Sequence, residues 1–293
     1  MVENIIFGGY GFIGTRLFEL TKNSIRFSSS GNQKSNYNKS FFIAKIKKYN
    51  PECIFFLSGN PHPSFSNNNH LLDLKKNNIK IQNLLEAAKQ TKFKGKIIYA
   101  SSIAVYGTNK NKNVKENEKL NPESQYALSK IMAEQQCQFY IKQHNLNVVI
   151  LRFCSVFGPK LKRQIIFNII KELMNKSKLS ITLKGKKTDK REFIYIDDLI
   201  KILIKISKIK IEAGIYNIGT GKQIKITKIH EYLKKKLKSK TEIIFENKLI
   251  SPNFSILNTE KIKKKIKMSL TFNFFKNLSN TYDYWKKNRA SID

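Results

Sequence analysis

The chain has 293 residues, 41% of them hydrophobic, which allows a sizeable core and excludes a disordered polypeptide. It carries 55 Lys and Arg against 21 Asp and Glu, a formal charge of +34, but only Arg16, Arg26, Arg152, Arg163, Arg191 and Arg289 are arginines. The lysines are spread over nearly every helical stretch, with no zinc-finger spacing, RNA-binding strand motif or Arg-rich arm, so nucleic acid is not expected as a partner.

Up to Pro159, continuous apolar strands alternate with helices. "VENIIFGG" predicts a strand, "FIGTRLFELTKN" a helix and "SIRFSS" a short strand. "SFFIAKIKKYNP" is a helix stopped by Pro51, "CIFFLSG" a buried strand, and "LLDLKKNNIKIQNLLEAAKQTK" a long helix. "GKIIYASS" is again a buried strand. "NPESQYALSKIMAEQQCQFYIKQHN" is a helix with Asn121 or Ser124 as cap and Glu123 in its first turn. "LNVVILRFCSVFG" is a strand running into a loop. This alternation predicts α/β architecture: a Rossmann-type, doubly wound parallel sheet covered on both faces.

Beyond Pro159 the pattern is less regular. "RQIIFNIIKELMNK" predicts a helix, "LSITLKG" a strand, and "REFIYIDDLIKILIKISK" a strand and helix with Asp197 or Asp198 at the helix start. "AGIYNIGTG" is a strand and glycine turn, "ITKIHEYLKKKLKSK" a helix, "TEIIFEN" a strand, and two short helices finish the chain. We expect an α/β domain over 1–160, with 191–221 returning to it, and a smaller C-terminal α/β domain mainly over 161–293. The Lys/Asn-rich "TNKNKNVKENEK" reads as an exposed loop. No run approaches about 18 apolar residues, so no membrane span is expected. The opening "MVENIIFGG" lacks a basic leader region, and the reading is cytoplasmic. Cys53, Cys137 and Cys154 read as reduced, buried thiols. The four His (62, 70, 144 and 230) suit no metal and read as surface or cap residues.

In "IIFGGYGFIG", Gly8, Gly11 and Gly14 lie between the first strand and the first helix. Glycines there allow a tight turn, close backbone approach to a pyrophosphate and close helix–sheet packing. The N-terminal amides of the helix, at Phe12 and Ile13, are then offered to the phosphates. A carboxylate after the second strand would bind the adenosine ribose of NAD. From Leu20 to Pro51 there is none; Arg26, Ser28, Ser29, Ser30 and Lys34 stand there instead. Hydroxyls and cations suit a 2′-phosphate, so the cofactor is NADP or NAD, with NADP favoured.

"YALSK" places Tyr126 four residues before Lys130, on one helix face. Alone, the pair could be two solvated side chains on a lysine-rich surface. "YASSIAVYG" lies upstream, at the carboxyl edge of a buried strand, where such sheets bind ligands. Together with "GGYGFIG", "LRFCSVFGP", "REFIYIDDL" and "GIYNIGTG", these segments resemble, in order, the extended short-chain dehydrogenase/reductases, and within them the NAD-dependent epimerase/dehydratase (nucleotide-sugar epimerase) family.

The resemblance implies Tyr126 as acid–base, Lys130 as the cation that holds the nicotinamide ribose and lowers the tyrosine pKa, and Ser102 as hydrogen-bond partner of the reacting sugar oxygen. Ser101 is its neighbouring control. The resemblance also implies Asn77 near the cofactor, Ser58 and Gly59 beside the adenosine half, and Arg191 on the substrate diphosphate. For Arg191 the bland alternative is an ion pair with Glu192 or Asp189. Ser155 stands where many epimerases have a sugar-contacting asparagine, and a second phosphate arginine is missing near the C-terminus, with Lys248 a substitute. Ile103 and Ala104 stand where the 4,6-dehydratases carry Asp-Glu, and Ala104 also departs from the decarboxylases. The expected activity is thus hydride transfer at a sugar carbon, C4, by an epimerase. An NADPH-dependent 4-keto sugar-nucleotide reductase and a catalytically silent NADP-binding scaffold are the alternatives. The resemblance implies a homodimer through the helices at 71–91 and 123–144.

Overall fold

The computed structural model describes residues 2–29, 36–60, 70–108, 113–175, 179–246, 256–267 and 272–292. In chain order the first half comprises β1 (Asn4–Phe7), α1 (Phe12–Leu20), β2 (Ser24–Phe27), α2 (Lys39–Tyr49) and β3 (Cys53–Phe56). A long helix α3 follows, built from His70–Leu74, a π-helical turn at Lys75–Ile79, and Lys80–Gln90. Then come β4 (Lys96–Ser102), β5 (Asn113–Val114), α4 (Gln125–His144), β6 (Val148–Phe153) and β7 (Ser155–Phe157). The second half comprises α5 (Gln164–Met174), β8 (Ser180–Lys184), β9 (Lys190–Tyr195), α6 (Ile196–Lys208), β10 (Gly214–Ile218), β11 (Gln223–Lys225), α7 (Ile226–Leu237), β12 (Glu242–Glu246), β13 (Ile256–Leu257), α8 (Glu260–Ile266) and α9 (Phe274–Lys287).

Six strands form one all-parallel sheet in the order β10-β6-β4-β3-β1-β2. Strand alternation sorts the apolar residues onto its two faces. Ile6, Phe55, Ile98 and Leu151 enter one core with Leu17 of α1 and Leu199 and Leu203 of α6. Ile5, Phe7, Phe56, Tyr99 and Ile150 enter the other with Phe42 of α2, Leu84 of α3 and Cys137 of α4. Both faces are covered, as a parallel sheet requires. Strand order reverses beside β1, so the carboxyl ends of β1 and β3 border the crevice where ligands bind in open α/β sheets. A third core joins α5, α7, α9 and β8, with Trp285 at its centre. There β8 pairs with β12, and β9 lies between β7 and β11.

Several sequence expectations are corrected here. Ser124, not Asn121, caps α4 by accepting from the Ala127 amide at 3.1 Å. Glu123 therefore precedes the helix, and its carboxylate accepts from Thr108 instead. The Lys/Asn-rich segment is not simply an exposed loop. Val114 is fully buried and β5 pairs with β13. Glu116 nearby accepts the Asn217 amide at 2.9 Å. His230 is buried rather than superficial, with Nε2 at 3.0 Å from the Thr241 carbonyl oxygen. The three cysteines are free and buried, as expected. No helix among the described residues is long and apolar enough to cross a membrane.

Candidate active site

The turn between β1 and α1 has no room for side chains. Gly8 has φ +82°, and a Cβ there would lie 2.6 Å from the Ser58 amide nitrogen. A Cβ on Gly14 would lie 2.3 Å from the Gly8 carbonyl oxygen. Gly11 caps α1 without a side-chain hydrogen bond, and the first turn holds no acid. The amides of Phe12 and Ile13 thus open the helix without a side-chain cap, in a cradle that fits a dinucleotide pyrophosphate.

Ser28 and Ser29 leave β2 beside this turn, because Gly8 and Gly9 both donate to the Phe27 carbonyl at 3.0 Å. Ser29 Oγ lies 3.2 Å from Ser58 Oγ, which joins the ends of β2 and β3 across β1. The Arg26 guanidinium lies between the rings of Tyr10 and Phe18, at 4.2 and 4.3 Å from their centroids. Ser30 and Lys34 lie outside the described residues, as does Lys248. One cation at this end went unread in the sequence. Lys80 Nζ, from α3, donates to Ser29 Oγ at 2.7 Å.

At the end of β4, neighbouring serines diverge. Ser101 is buried and donates to the Glu134 carboxylate. Ser102 has its hydroxyl in hydrogen-bonding contact with the Tyr126 phenol. Its oxygen also accepts from the Ala104 amide at 3.2 Å. Lys130, one turn along α4 from Tyr126, donates to the Ala100 carbonyl at 2.8 Å and to the Tyr99 hydroxyl at 3.3 Å. Its Nζ lies 5.9 Å from the Tyr126 ring centroid.

Burial raises the Tyr126 pKa, the Ser102 hydrogen bond and the Arg163 charge lower it, and Asp73 raises it. Arg163, at the start of α5, is thus a cation acting on the phenol that the sequence did not single out. Burial pushes Lys130 itself down to about 8, against the opposing pull of Glu134 and Asp73. A lysine shifted this far is a charge that binding can switch.

Asn77 occupies the π-helical turn of α3, a distortion frequent at functional sites. Its Oδ1 accepts the Asn60 amide at 2.7 Å; its Nδ2 donates to Asp73 at 2.9 Å and to Ser129 Oγ at 3.0 Å. It thus clamps the Ser58–Asn60 segment to α4 behind Lys130. A Cβ on Gly59 would lie 2.7 Å from Asn77 Oδ1, so that close approach requires glycine.

Ser155 opens β7 in register with Phe193 of β9. Arg191 lies two residues before that position, roughly 7 Å along the strand. Burial lowers its pKa and Asp189 raises it. Glu192 is not its partner. That carboxylate accepts the amides of Thr220, Gly221 and Leu257 at 2.6, 2.8 and 2.8 Å.

A family model described as the NAD dependent epimerase/dehydratase family matches residues 4–219, from β1 through the end of β10. The chain belongs to this family. It is 30% identical over 201 residues to an uncharacterized UDP-glucose epimerase, YtcB, of Bacillus subtilis, covering 68% of this chain and 62% of that one. It is 38% identical over 153 residues to the dTDP-D-glucose 4,6-dehydratase of Dictyostelium discoideum, covering 48% and 35%. The chain thus spans less than two thirds of the length of either relative. In fold it is similar to the UDP-glucuronic acid 4-epimerase of Bacillus cereus, solved with UDP-glucuronic acid and NAD. That similarity has a TM-score of 0.86 and 23% identity, and covers 98% of this chain and 100% of the other.

Proposed function

We propose that the chain is an NAD(P)-dependent nucleotide-sugar epimerase acting at C4 of the sugar. The observation that carries this reading is the contact of Ser102 with Tyr126, one turn from Lys130, at the carboxyl edge of a sheet whose first turn cradles a pyrophosphate. The nicotinamide would supply the hydride acceptor and donor. Tyr126 takes the proton of the C4 hydroxyl and returns it after the ring presents its other face. Ser102 hydrogen-bonds the same oxygen and holds it on the phenol. Lys130 binds the ribose and, once its charge is held there, favours the phenolate; Arg163 acts in the same sense. Arg191 and Ser155 take the diphosphate and sugar side, where a guanidinium can chelate phosphate oxygens. Domain 1–160 with the later return segment carries the cofactor, and 161–293 mainly the sugar nucleotide.

A 4,6-dehydratase needs an acid and a base beyond the hydroxyl. Ile103 is buried in the core here and Ala104 has no titratable group, so water elimination lacks its proton carriers. The cations at the adenosine end favour NADP(H), and with it a second reading: net reduction of a 4-keto sugar nucleotide. The two differ in hydride balance. Incubated with a UDP-sugar carrying deuterium at C4, the epimerase returns the label to C4 of its product without net cofactor change. A reductase consumes one NADPH per 4-keto sugar. Unchanged turnover in Tyr126→Phe would take the chemistry away from this phenol, and an unmodified protein that binds the dinucleotide but turns over neither substrate would be a silent scaffold. The exposed apolar faces of α3 and α4 fit a homodimer through these helices.

A further inference from the structure

We propose that Lys80 is the residue that discriminates between cofactors, and that with Arg26 it holds the 2′-phosphate of NADP(H). This inference rests on reading the chain as a dinucleotide-dependent enzyme and names the form of dinucleotide it takes.

The end of β2 is where this fold recognises the adenosine ribose, about 20 residues after the glycine turn. A carboxylate there accepts the 2′-hydroxyl and repels a 2′-phosphate. In this chain the two residues at that point are Ser28 and Ser29. Lys80 reaches Ser29 from a different element, α3, with Nζ 2.7 Å from the hydroxyl. It is half-buried and lies 5.6 Å from the centroid of the Tyr37 ring. Tyr37 is in turn tied to the glycine turn, for its hydroxyl accepts the Gly8 amide at 3.2 Å. The lysine is therefore built onto the cofactor cradle rather than placed on open surface. Arg26 approaches the same end from within β2, aligned between Tyr10 and Phe18. A Cβ on Gly9 would lie 2.3 Å from the Arg26 Cβ, which seats the arginine stem directly against the phosphate turn. Lys80 and the Ser29 hydroxyl form an anion site at this strand end, flanked from the α1 side by Arg26, where charge-assisted hydrogen bonds are strongest.

Calorimetric titration with adenosine fragments tests this without turnover. The unmodified protein should bind 2′,5′-ADP about 10- to 100-fold more tightly than 5′-ADP, as expected for hydrogen bonds to a charged group. The preference should shrink as salt is raised. Lys80→Met should lose most of the preference while keeping its affinity for 5′-ADP, and Lys80→Arg should restore it. Equal binding of the two fragments by the unmodified protein would overturn the proposal while leaving a dinucleotide enzyme in place. A preference that survives Lys80→Met unchanged would overturn the role of Lys80. If neither fragment binds, and NADH and NADPH do not bind either, the dinucleotide reading fails and this inference with it.

Discussion

The guanidinium of Arg152 and the carboxylate of Glu134 meet at 2.6 Å with side chains only 2% and 1% exposed. Arg152 is on β6 and Glu134 on α4, one turn beyond Lys130. Arg152 also donates to the Tyr106 hydroxyl at 2.7 Å and to the Glu116 carbonyl at 3.0 Å. Tyr106 passes the network to Asn217 of β10 at 2.7 Å. The pair thus fixes α4 to the sheet.

Removing one partner leaves the other charge buried alone. Arg152→Leu or Glu134→Leu should each destabilise the fold by about 3–5 kcal/mol. The double variant should lose less than the sum of the single losses, because neither charge is stranded. Urea unfolding of the three variants checks this; strict additivity would mean that the pair is not a coupled unit.

Ser101 and Ser102 should separate stability from activity. Ser102→Ala should lower kcat/KM by about 10²-fold or more and cost about 0.5–1 kcal/mol of stability, the loss of its bond to the Ala104 amide. Ser101→Ala removes a donor from the buried Glu134 carboxylate and should cost about 1–3 kcal/mol with a much smaller loss of turnover. The reverse pattern would assign the serines the other way round.

How far the sequence was legible depended on how local each signal is. Gly8, Gly11 and Gly14 could be read because the turn itself excludes a Cβ there, and Tyr126 and Lys130 because one helix fixes their spacing. The parallel sheet could be read because strands buried on both faces are uniformly apolar, as in "CIFF". Arg163 and Lys80 could not. Each acts on a residue far away in the chain, and a lysine in a lysine-rich sequence carries no local mark. The β5–β13 pairing was hidden for the same reason. Only Val114 is apolar in its Lys/Asn-rich stretch, and its partner strand comes near the chain's end.

Lys130 should reveal its burial in the pH dependence of stability. Its folded pKa is about 8, below the ordinary 10.5. Below pH 8 the folded and unfolded chains are both protonated there, and the cost of the buried charge is fully present. Between the two values the unfolded chain binds more protons, so this group makes stability rise with pH. The cost at neutral pH is roughly 3 kcal/mol. Lys130→Met removes it and loses two hydrogen bonds of about 1 kcal/mol each. The variant should therefore be inactive, yet at pH 7 no less stable than the unmodified protein, and less stable at pH 10.5. A stability difference that does not vary over this range would show that the lysine is not destabilised by burial.

The faces of α3 and α4 that bear apolar residues carry the last prediction. Leu72 and Ile79 are seven residues apart on α3; Leu128, Met132 and Phe139 are spaced by four and seven on α4. The α4 set shares one helical stripe, the π-helical turn sets Ile79 off the stripe of Leu72, and all five side chains are exposed, Phe139 at 55% and Ile79 at 51%. The α4 stripe beside the exposed apolar residues of α3, met by a second copy about a two-fold axis, makes a four-helix interface. A charge inside that interface has no partner. Ile79→Lys together with Phe139→Lys should therefore give a monomer in analytical ultracentrifugation at micromolar concentration, with the far-ultraviolet circular dichroism of the unmodified protein. A dimer that tolerates both charges would place the association surface elsewhere, and a monomeric unmodified protein would remove the dimer.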